Sequence, residues 1–161
     1  MKIDIITIGR LKESYLTAAQ QEYLKRLAPY ARVNVTELPD EKAPENLSPA
    51  AMAQVLEKEA AKIEKHLDMN AGVYRIALAI EGKQLSSPEL ADMIDRQAVA
   101  GFSKFVFVIG GSLGLAAGVL GKCQMKLSFS KMTFPHQLMR VILLEQVYRA
   151  FKIVNNEPYH K

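Results

Sequence analysis

The sequence has no tryptophan, a single cysteine and no apolar run longer than five residues. Because Cys123 cannot form a disulfide within the chain, it points to a reducing compartment. Five apolar residues are far fewer than the roughly twenty that a membrane-spanning helix needs. Lys2 and Asp4 interrupt the first apolar stretch, which predicts that no signal peptide opens the chain. We therefore expect a cytoplasmic protein with no membrane partner.

Acidic residues are scarce near the carboxy terminus. Residues 120–161 carry seven Lys or Arg against two Glu, whereas residues 1–119 have a net charge of −1. A basic segment favours a polyanionic partner, because each neutralised phosphate releases condensed counterions. A solvated basic helix face would have the same composition, so charge alone leaves both interpretations open.

The composition that is present, 49% apolar and 24% charged over 161 residues, is typical of one globular domain. Strand-like and helical segments alternate along it, which predicts an α/β fold with a mainly parallel sheet flanked by helices, in a single domain spanning 1–161. Two local details are a turn at Glu81-Gly82-Lys83 and a helix cap at Ser87. The predicted strands are 2–9, 33–38, 73–80, 104–109 and 126–130, and the predicted helices are 13–28, 48–67, 87–100 and 135–151.

The glycine-rich segment 110–114 (GGSLG) follows the most apolar predicted strand. Ligands of open α/β sheets bind beyond the carboxyl ends of strands, so this loop is a candidate site. A dinucleotide motif would follow the first strand, with an acid about twenty residues on, whereas these glycines follow a late strand and the next acid is Glu145. The loop also lacks the lysine of a P-loop. As a Gly-x-Ser-x-Gly nucleophile elbow it would need Ser112 to be completed by Glu145 and His160. A tight turn without a ligand stays open as well.

Metal-ligand patterns are missing. His66, His136 and His160 are far apart, and Cys123 has no partner at the spacing that zinc sites use. The sequence therefore predicts no bound metal.

The segment 127–140 (LSFSKMTFPHQLMR) links the last predicted strand to the last helix. Its loop, residues 129–134, offers backbone polar groups between apolar side chains, a mixture that suits a flat heterocycle. An ordinary loop with two core phenylalanines would have the same composition. His136 is either a buried structural residue or part of the site.

Several long strings identify a resemblance that runs end to end. FVIGGSLGL, LSFSKMTFPHQLMRVILLEQVYRA and PYHK, with the opening KIDIITIGRLKESYL and the loop LPDEKAPENLS, resemble the ribosomal RNA large-subunit methyltransferase H family. This family is part of the SPOUT superfamily of S-adenosylmethionine-dependent methyltransferases. The resemblance implies a deep trefoil knot in the carboxy-terminal part, a homodimer, and methylation of N3 of a pseudouridine in large-subunit (23S) rRNA on the assembled ribosome. The alternative is a non-catalytic ribosome-binding assembly factor with the same fold.

The resemblance also implies a cofactor site on the end of the third strand, the glycine loop and the loop after the last strand. One departure is Ala79, which stands where we expect an acidic residue and predicts weaker cofactor binding. The residues that correspond to S-adenosylmethionine contacts are Leu78, Gly110, Phe129, Ser130, Lys131, Met132, Thr133 and Phe134.

The carboxy terminus carries a cluster of polar side chains, from which we form a further hypothesis. Tyr159, His160 and Lys161 reach the active site of the partner subunit, where Arg140 or Arg149 holds rRNA phosphate. We assign catalytic roles to Tyr159, His160 and Arg140, and RNA binding to Arg149 and Lys161. A frayed tail is the open alternative.

Overall fold

Five strands alternate with five helices in the computed structural model, which describes residues 1–161. The elements are β1 (Lys2–Ile8), α1 (Ser14–Leu27), β2 (Arg32–Leu38), α2 (Pro49–His66), β3 (Val73–Gln84), α3 (Ser87–Val99), β4 (Lys104–Ile109), α4 (Ala117–Gly121), β5 (Met125–Ser128) and α5 (His136–Val154). Nine of these ten elements have counterparts in the predicted segments. The tenth, α4, is a single short turn of helix after the glycine loop.

All five strands pair in parallel, in the order β2-β1-β4-β3-β5. This confirms the predicted α/β fold with a parallel sheet flanked by helices. Because every strand runs the same way, all five carboxyl ends lie along one edge of the sheet. The chain passes from β4 over β3 to place β5 at the edge of the sheet. The trefoil knot implied by the family resemblance stays a prediction.

Helices cover both faces of the sheet, and β4 shows why its sequence is apolar throughout. Phe105 and Phe107 pack with α1, α3 and α5 on one face, while Val106 and Val108 pack with α2 and α4 on the other. Successive side chains of a strand point to opposite faces, so a strand covered on both sides needs a continuous apolar run. The central strand is therefore buried at every position from 105 to 109.

The third strand is longer than predicted. Glu81-Gly82-Lys83 belong to β3, which runs to Gln84. Leu78 and Lys83 both pair with Leu127 of β5, so the residues between them bulge out of the regular register. The prediction that a turn ends the strand here was wrong, because pairing with β5 resumes beyond the bulge.

The helix caps show one confirmation and one correction. Ser48 caps α2 as expected, since its Oγ accepts a hydrogen bond from the Ala51 N–H at 3.2 Å. The cap of α3 is Ser86, one residue earlier than predicted. Ser86 Oγ accepts from the Glu89 N–H at 3.3 Å, and the Glu89 carboxylate accepts from the Ser86 N–H at 2.7 Å. This reciprocal pair places the Glu three residues after the cap, the spacing of a capping box.

Candidate functional site

A cavity of about 340 Å³ opens at the carboxyl ends of β3, β4 and β5. It lies at the sheet edge where α/β proteins bind ligands, and its volume is in the range of small-molecule sites. Three segments form its wall: the second half of β3, the glycine loop after β4, and the chain between β5 and the first turn of α5. Most of its lining side chains are apolar.

Seven of the eight residues expected to contact a cofactor line this cavity, and the eighth does not. Lys131 is exposed on the same loop and is absent from the cavity wall. The wall also includes His136 and Met139 from the first turn of α5, and Glu81 from β3. For His136, this position favours the site role over the purely structural one. The seven residues are Leu78, Gly110, Phe129, Ser130, Met132, Thr133 and Phe134.

The glycine loop closes as a tight turn that is formed by backbone atoms alone. The Gly114 N–H donates to the Gly111 carbonyl oxygen at 3.1 Å, and Gly114 has a positive φ of 80°. A Cβ atom on Gly110 would lie 2.6 Å from the carbonyl carbon of Gly114. The turn therefore requires glycine at position 110. This turn also brings main-chain groups to the cavity.

The hydrolase interpretation of this loop does not fit the structure. Ser112 lines the cavity, but its hydroxyl forms no side-chain hydrogen bond to a histidine or to any other group. The Glu145 and His160 that would complete a triad lie together at the second half of α5 instead. Without an adjacent base, the Ser112 hydroxyl has no means of activation.

The charge of the cavity wall limits the ligands that fit it. The wall has no lysine or arginine, so a phosphate group would find no cation there, and Glu81 is its single carboxylate. Ala79 and Glu81 both line the cavity, so a carboxylate is present on the wall two residues after position 79.

Arg140 is fully buried and lies outside the cavity wall. One guanidinium nitrogen donates to the Glu37 carboxylate at 2.7 Å, and another donates to the Gly9 carbonyl oxygen at 2.9 Å. Weaker contacts of 3.4 Å reach Gln20 and Thr7. These bonds join α5 to α1 and to the ends of β1 and β2. A guanidinium with no exposed surface is not available to an RNA phosphate, so the geometry gives Arg140 a structural position.

The carboxy-terminal residues pack against the second half of α5, which excludes the frayed tail. Arg149 and Tyr159 both donate to one oxygen of Glu145, at 2.7 and 3.1 Å. The Arg149 guanidinium also lies 4.7 Å from the centre of the Tyr159 ring and 3.3 Å from Nδ1 of His160. We call Glu145, Arg149, Tyr159 and His160 the tail cluster. Lys161 follows it as an exposed residue.

Tyr159 is held in its protonated form. Burial, together with the Glu145 carboxylate beside it, raises the pKa of Tyr159 to about 12. A phenol with this pKa stays neutral at physiological pH, so Tyr159 acts as a hydrogen-bond donor and not as a base. Its ring packs edge-on against Tyr148, with 4.9 Å between ring centroids.

The cavity lies at the first turn of α5, whereas the tail cluster lies along its second half. His136 lines the cavity, and Glu145 follows nine residues later on the same helix. At 1.5 Å per residue, this spacing separates them by about 14 Å along the helix axis. Within one chain, the residues expected to contact a cofactor lie together in the cavity wall, and the tail cluster is a second group apart from them.

Comparison with known proteins assigns the family. A family model described as "Predicted SPOUT methyltransferase" matches residues 1–160. The chain belongs to the SPOUT methyltransferase family. The sequence is also 61% identical to ribosomal RNA large subunit methyltransferase H from Bacillus thuringiensis (strain Al Hakam), from Bacillus cereus (strain B4264) and from Bacillus anthracis, over 100% of both chains in each case. The resemblance found in the sequence is thereby confirmed.

A solved structure supports the SPOUT methyltransferase assignment at the level of the fold. A probable methylase family protein from Haemophilus influenzae Rd KW20 superimposes with a TM-score of 0.52 at 14% identity. The alignment covers 96% of this chain and 66% of that one. As a SPOUT methyltransferase, the chain is a transferase that requires a methyl donor.

Two further observations concern metal sites and membrane-spanning helices in this SPOUT family member. No group of three or more His, Cys, Asp or Glu side chains is placed to hold a metal ion. None of the helices combines the length and the apolar character needed to cross a membrane.

Proposed function

We propose that this chain transfers a methyl group from S-adenosylmethionine to N3 of a pseudouridine in large-subunit rRNA, on the assembled ribosome in the cytoplasm. One observation carries the proposal: relatives that are 61% identical over the entire chain bear the name ribosomal RNA large subunit methyltransferase H. The cavity supports it, because its position and lining suit a small ligand with a flat heterocycle.

The cavity wall fits the proposed methyl donor. Backbone groups of the glycine loop and of residues 129–134 would read the edge of the adenine ring, while Leu78 and Phe129 would cover its faces. Glu81 supplies one negative charge for a ligand that carries a positive sulfur and an ammonium group. When bound, S-adenosylmethionine supplies an electrophilic methyl group. The absence of a phosphate-binding lysine is consistent with a ligand that has no phosphate.

We further propose that the protein acts as a homodimer. Met132, Phe134 and Leu138 are exposed apolar side chains beside the cavity, at 73%, 37% and 38% exposure. A two-fold dimer buries the same patch from both subunits, so an apolar patch on the start of α5 and on the loop before it is suited to this contact. The tail cluster, about 14 Å away along α5 in its own chain, would then meet the cavity of the partner.

Each sequence-predicted residue of the carboxy-terminal part receives a role in this proposal. Tyr159 donates a hydrogen bond and His160 contacts the substrate base, while Arg149 and Lys161 bind rRNA phosphate. Arg140 acts indirectly, because its bonds to Gly9 and Glu37 fix the first turns of α5 that carry the cavity residues. Together these residues would hold the methyl group and the substrate base in a fixed geometry, so that little reorganisation is needed for the transfer.

Methyl transfer to ribosomes tests the activity. Labelled S-adenosylmethionine is incubated with the protein and with intact ribosomes, free large subunits or naked rRNA from cells that lack this protein. We expect label on a pseudouridine in intact ribosomes only. Label on free subunits alone would overturn the assembled-ribosome substrate. Ribosome binding without any transfer and without cofactor dependence would establish the assembly factor instead.

Mixed dimers test whether one site uses two chains. One chain carries Gly110→Ala, which disrupts the cavity, and the other ends after Glu157, which removes most of the tail. Each homodimer should be strongly impaired, whereas the co-expressed heterodimer pairs an intact cavity with the intact tail of its partner and regains activity. If the tail serves its own chain, the heterodimer stays inactive. A monomer on a sizing column would also contradict the dimer.

A further inference from the structure

His136 is the first residue of α5 and lies in the wall of the cavity. Of the residues that line this cavity, His136 and Glu81 are the two whose side chains titrate. Glu81 is an exposed residue of β3, whereas His136 is half-buried at the junction of three segments. Any proton that leaves a substrate in this cavity therefore has few protein groups to receive it.

The imidazole of His136 is closely packed but forms no hydrogen bond with the protein. Nε2 faces Gly9, since a Cβ atom there would lie 2.8 Å from that nitrogen, and Gly9 has a positive φ of 93°. The glycine after β1 thus makes room for the ring. Neither ring nitrogen of His136 forms a hydrogen bond with any protein group. Because Nε2 is packed against Gly9, Nδ1 is the nitrogen that remains for a ligand. No hydrogen bond to the protein holds the ring in a structural role.

Charged groups around His136 come from each neighbouring segment. Asp40 lies on the loop after β2, Lys12 on the loop after β1, and Arg140 one turn along α5. Burial lowers the pKa of His136, Lys12 and Arg140 lower it further, and Asp40 opposes them. The positive end of α5 also disfavours an imidazolium. The ring is consequently neutral at physiological pH, the state in which it can accept a proton.

We propose that His136 is the proton acceptor of the methyl-transfer reaction, a catalytic residue that takes the N3 proton of the substrate base. The inference rests on the proposed function and adds a residue to it. As the N3 lone pair bonds to the methyl carbon, the carbon–sulfur pair stays on sulfur and the N3 proton moves to a ring nitrogen. The imidazolium then returns the proton to water, which restores the neutral ring.

The variant His136→Asn tests this role, with His66→Asn as the matched control on the exposed end of α2. We expect His136→Asn to lower kcat by roughly 10²- to 10³-fold, the usual contribution of a positioned base. Its KM for ribosomes and its calorimetric Kd for S-adenosylmethionine should change less than about threefold, because the proposed role concerns the proton of the substrate base. His66→Asn should match the unaltered protein in all three quantities.

The pH dependence gives a sharper readout. A base must be deprotonated to act, so kcat of the unaltered protein should rise with pH through the pKa of His136 and then level off. The rising limb should be absent in His136→Asn. Histidine proton NMR supplies a measurement independent of activity. The resonance lost in the variant should titrate below the ordinary value of about 6.5 and shift when S-adenosylhomocysteine is added.

Several results would overturn the proposal. A kcat for His136→Asn within threefold of the unaltered protein, with the rising limb intact, would exclude proton transfer to His136. If Glu81→Gln, and not His136→Asn, abolishes the rise of kcat with pH, the Glu81 carboxylate is the proton acceptor. If circular dichroism shows that His136→Asn does not fold, two other variants take its place in the test. These are His136→Gln, and Gly9→Ala, whose added Cβ displaces the His136 ring. If the unaltered protein methylates no ribosomal substrate, the proposed function fails first and this inference falls with it.

Discussion

The first turns of α5 and its second half carry different kinds of side chain. Its first turns carry apolar and neutral side chains to a cavity whose glycine loop is shaped by main-chain atoms, and they bury Arg140 in a network of internal bonds. Its middle and later turns carry Glu145 and Arg149, which hold Tyr159 and His160 in the partly exposed tail cluster. One end therefore borders a cavity formed by closely approaching backbone, while the other presents charged and polar side chains at the surface.

The largest expected effect tests whether the buried end is structural. Arg140→Met should lower the free energy of unfolding by about 3 kcal/mol, because it leaves the Gly9 carbonyl without its donor and the Glu37 carboxylate with only the Leu11 N–H. Arg149→Met, at the other end, removes a partly exposed ion pair and should cost about 1 kcal/mol or less. Urea denaturation at one fixed protein concentration measures both. Equal losses would show that the two ends are not built differently.

Removal of the tail tests the opposite end. A chain that stops after Glu157 loses Tyr159, His160 and Lys161, and its methylation of ribosomes should fall roughly a hundredfold because the substrate is no longer positioned. The Kd for S-adenosylmethionine should change far less than this, since the cavity of each chain is intact. The far-ultraviolet circular dichroism spectrum serves as the control for folding. Unchanged methylation would remove the tail from the mechanism.

Gly110→Ala tests the claim that backbone geometry forms the cavity. The added Cβ would lie 2.6 Å from the carbonyl carbon of Gly114, so the loop must shift. We expect the Kd for S-adenosylmethionine to weaken by up to about a hundredfold, as a displacement of about 1 Å can produce. Gly121→Ala adds the same methyl group at a position with no atom within 4 Å and should leave the Kd unchanged. Comparable weakening in both variants would contradict the claim.

The smallest effect concerns Glu59, a buried carboxyl of α2 beneath the glycine loop. Its Oε2 has no hydrogen-bond partner, and burial raises the pKa of Glu59 above its ordinary value. The folded protein therefore binds this proton more tightly than the unfolded chain does, and the stability that the group contributes is lost as the pH rises through the raised pKa.

Glu59→Gln should accordingly gain about 1 kcal/mol of stability at pH 8 relative to the unaltered protein, and less at pH 4. The exposed Glu57→Gln on the same helix should show no such pH dependence. Urea midpoints at the two pH values measure the difference. A gain that is equal at both pH values would show that ionisation of Glu59 is not its cause.

Most of the cavity was predictable from sequence, because it depends on local order along the chain. The rule that ligands bind at the carboxyl ends of parallel strands singled out Gly110, and the family resemblance added Leu78 and residues 129–134. Lys131 was the exception, since its backbone belongs to the loop but its side chain leaves the wall. The extension of β3 through Glu81 was missed because its turn-like residues form a bulge, after which Lys83 and Gln84 pair again with β5.

The alternation of strands and helices, the buried character of β4 and the position of the glycine loop all follow from the sequence, because each depends on residues that are close in the chain. The burial of Arg140, the placement of His136 in the cavity wall and the folding of the tail onto α5 follow only from tertiary packing. These outcomes depend on contacts between distant residues. Gly9 and Arg140 are separated by 131 positions, and nothing in local periodicity specifies which remote partner a side chain will meet.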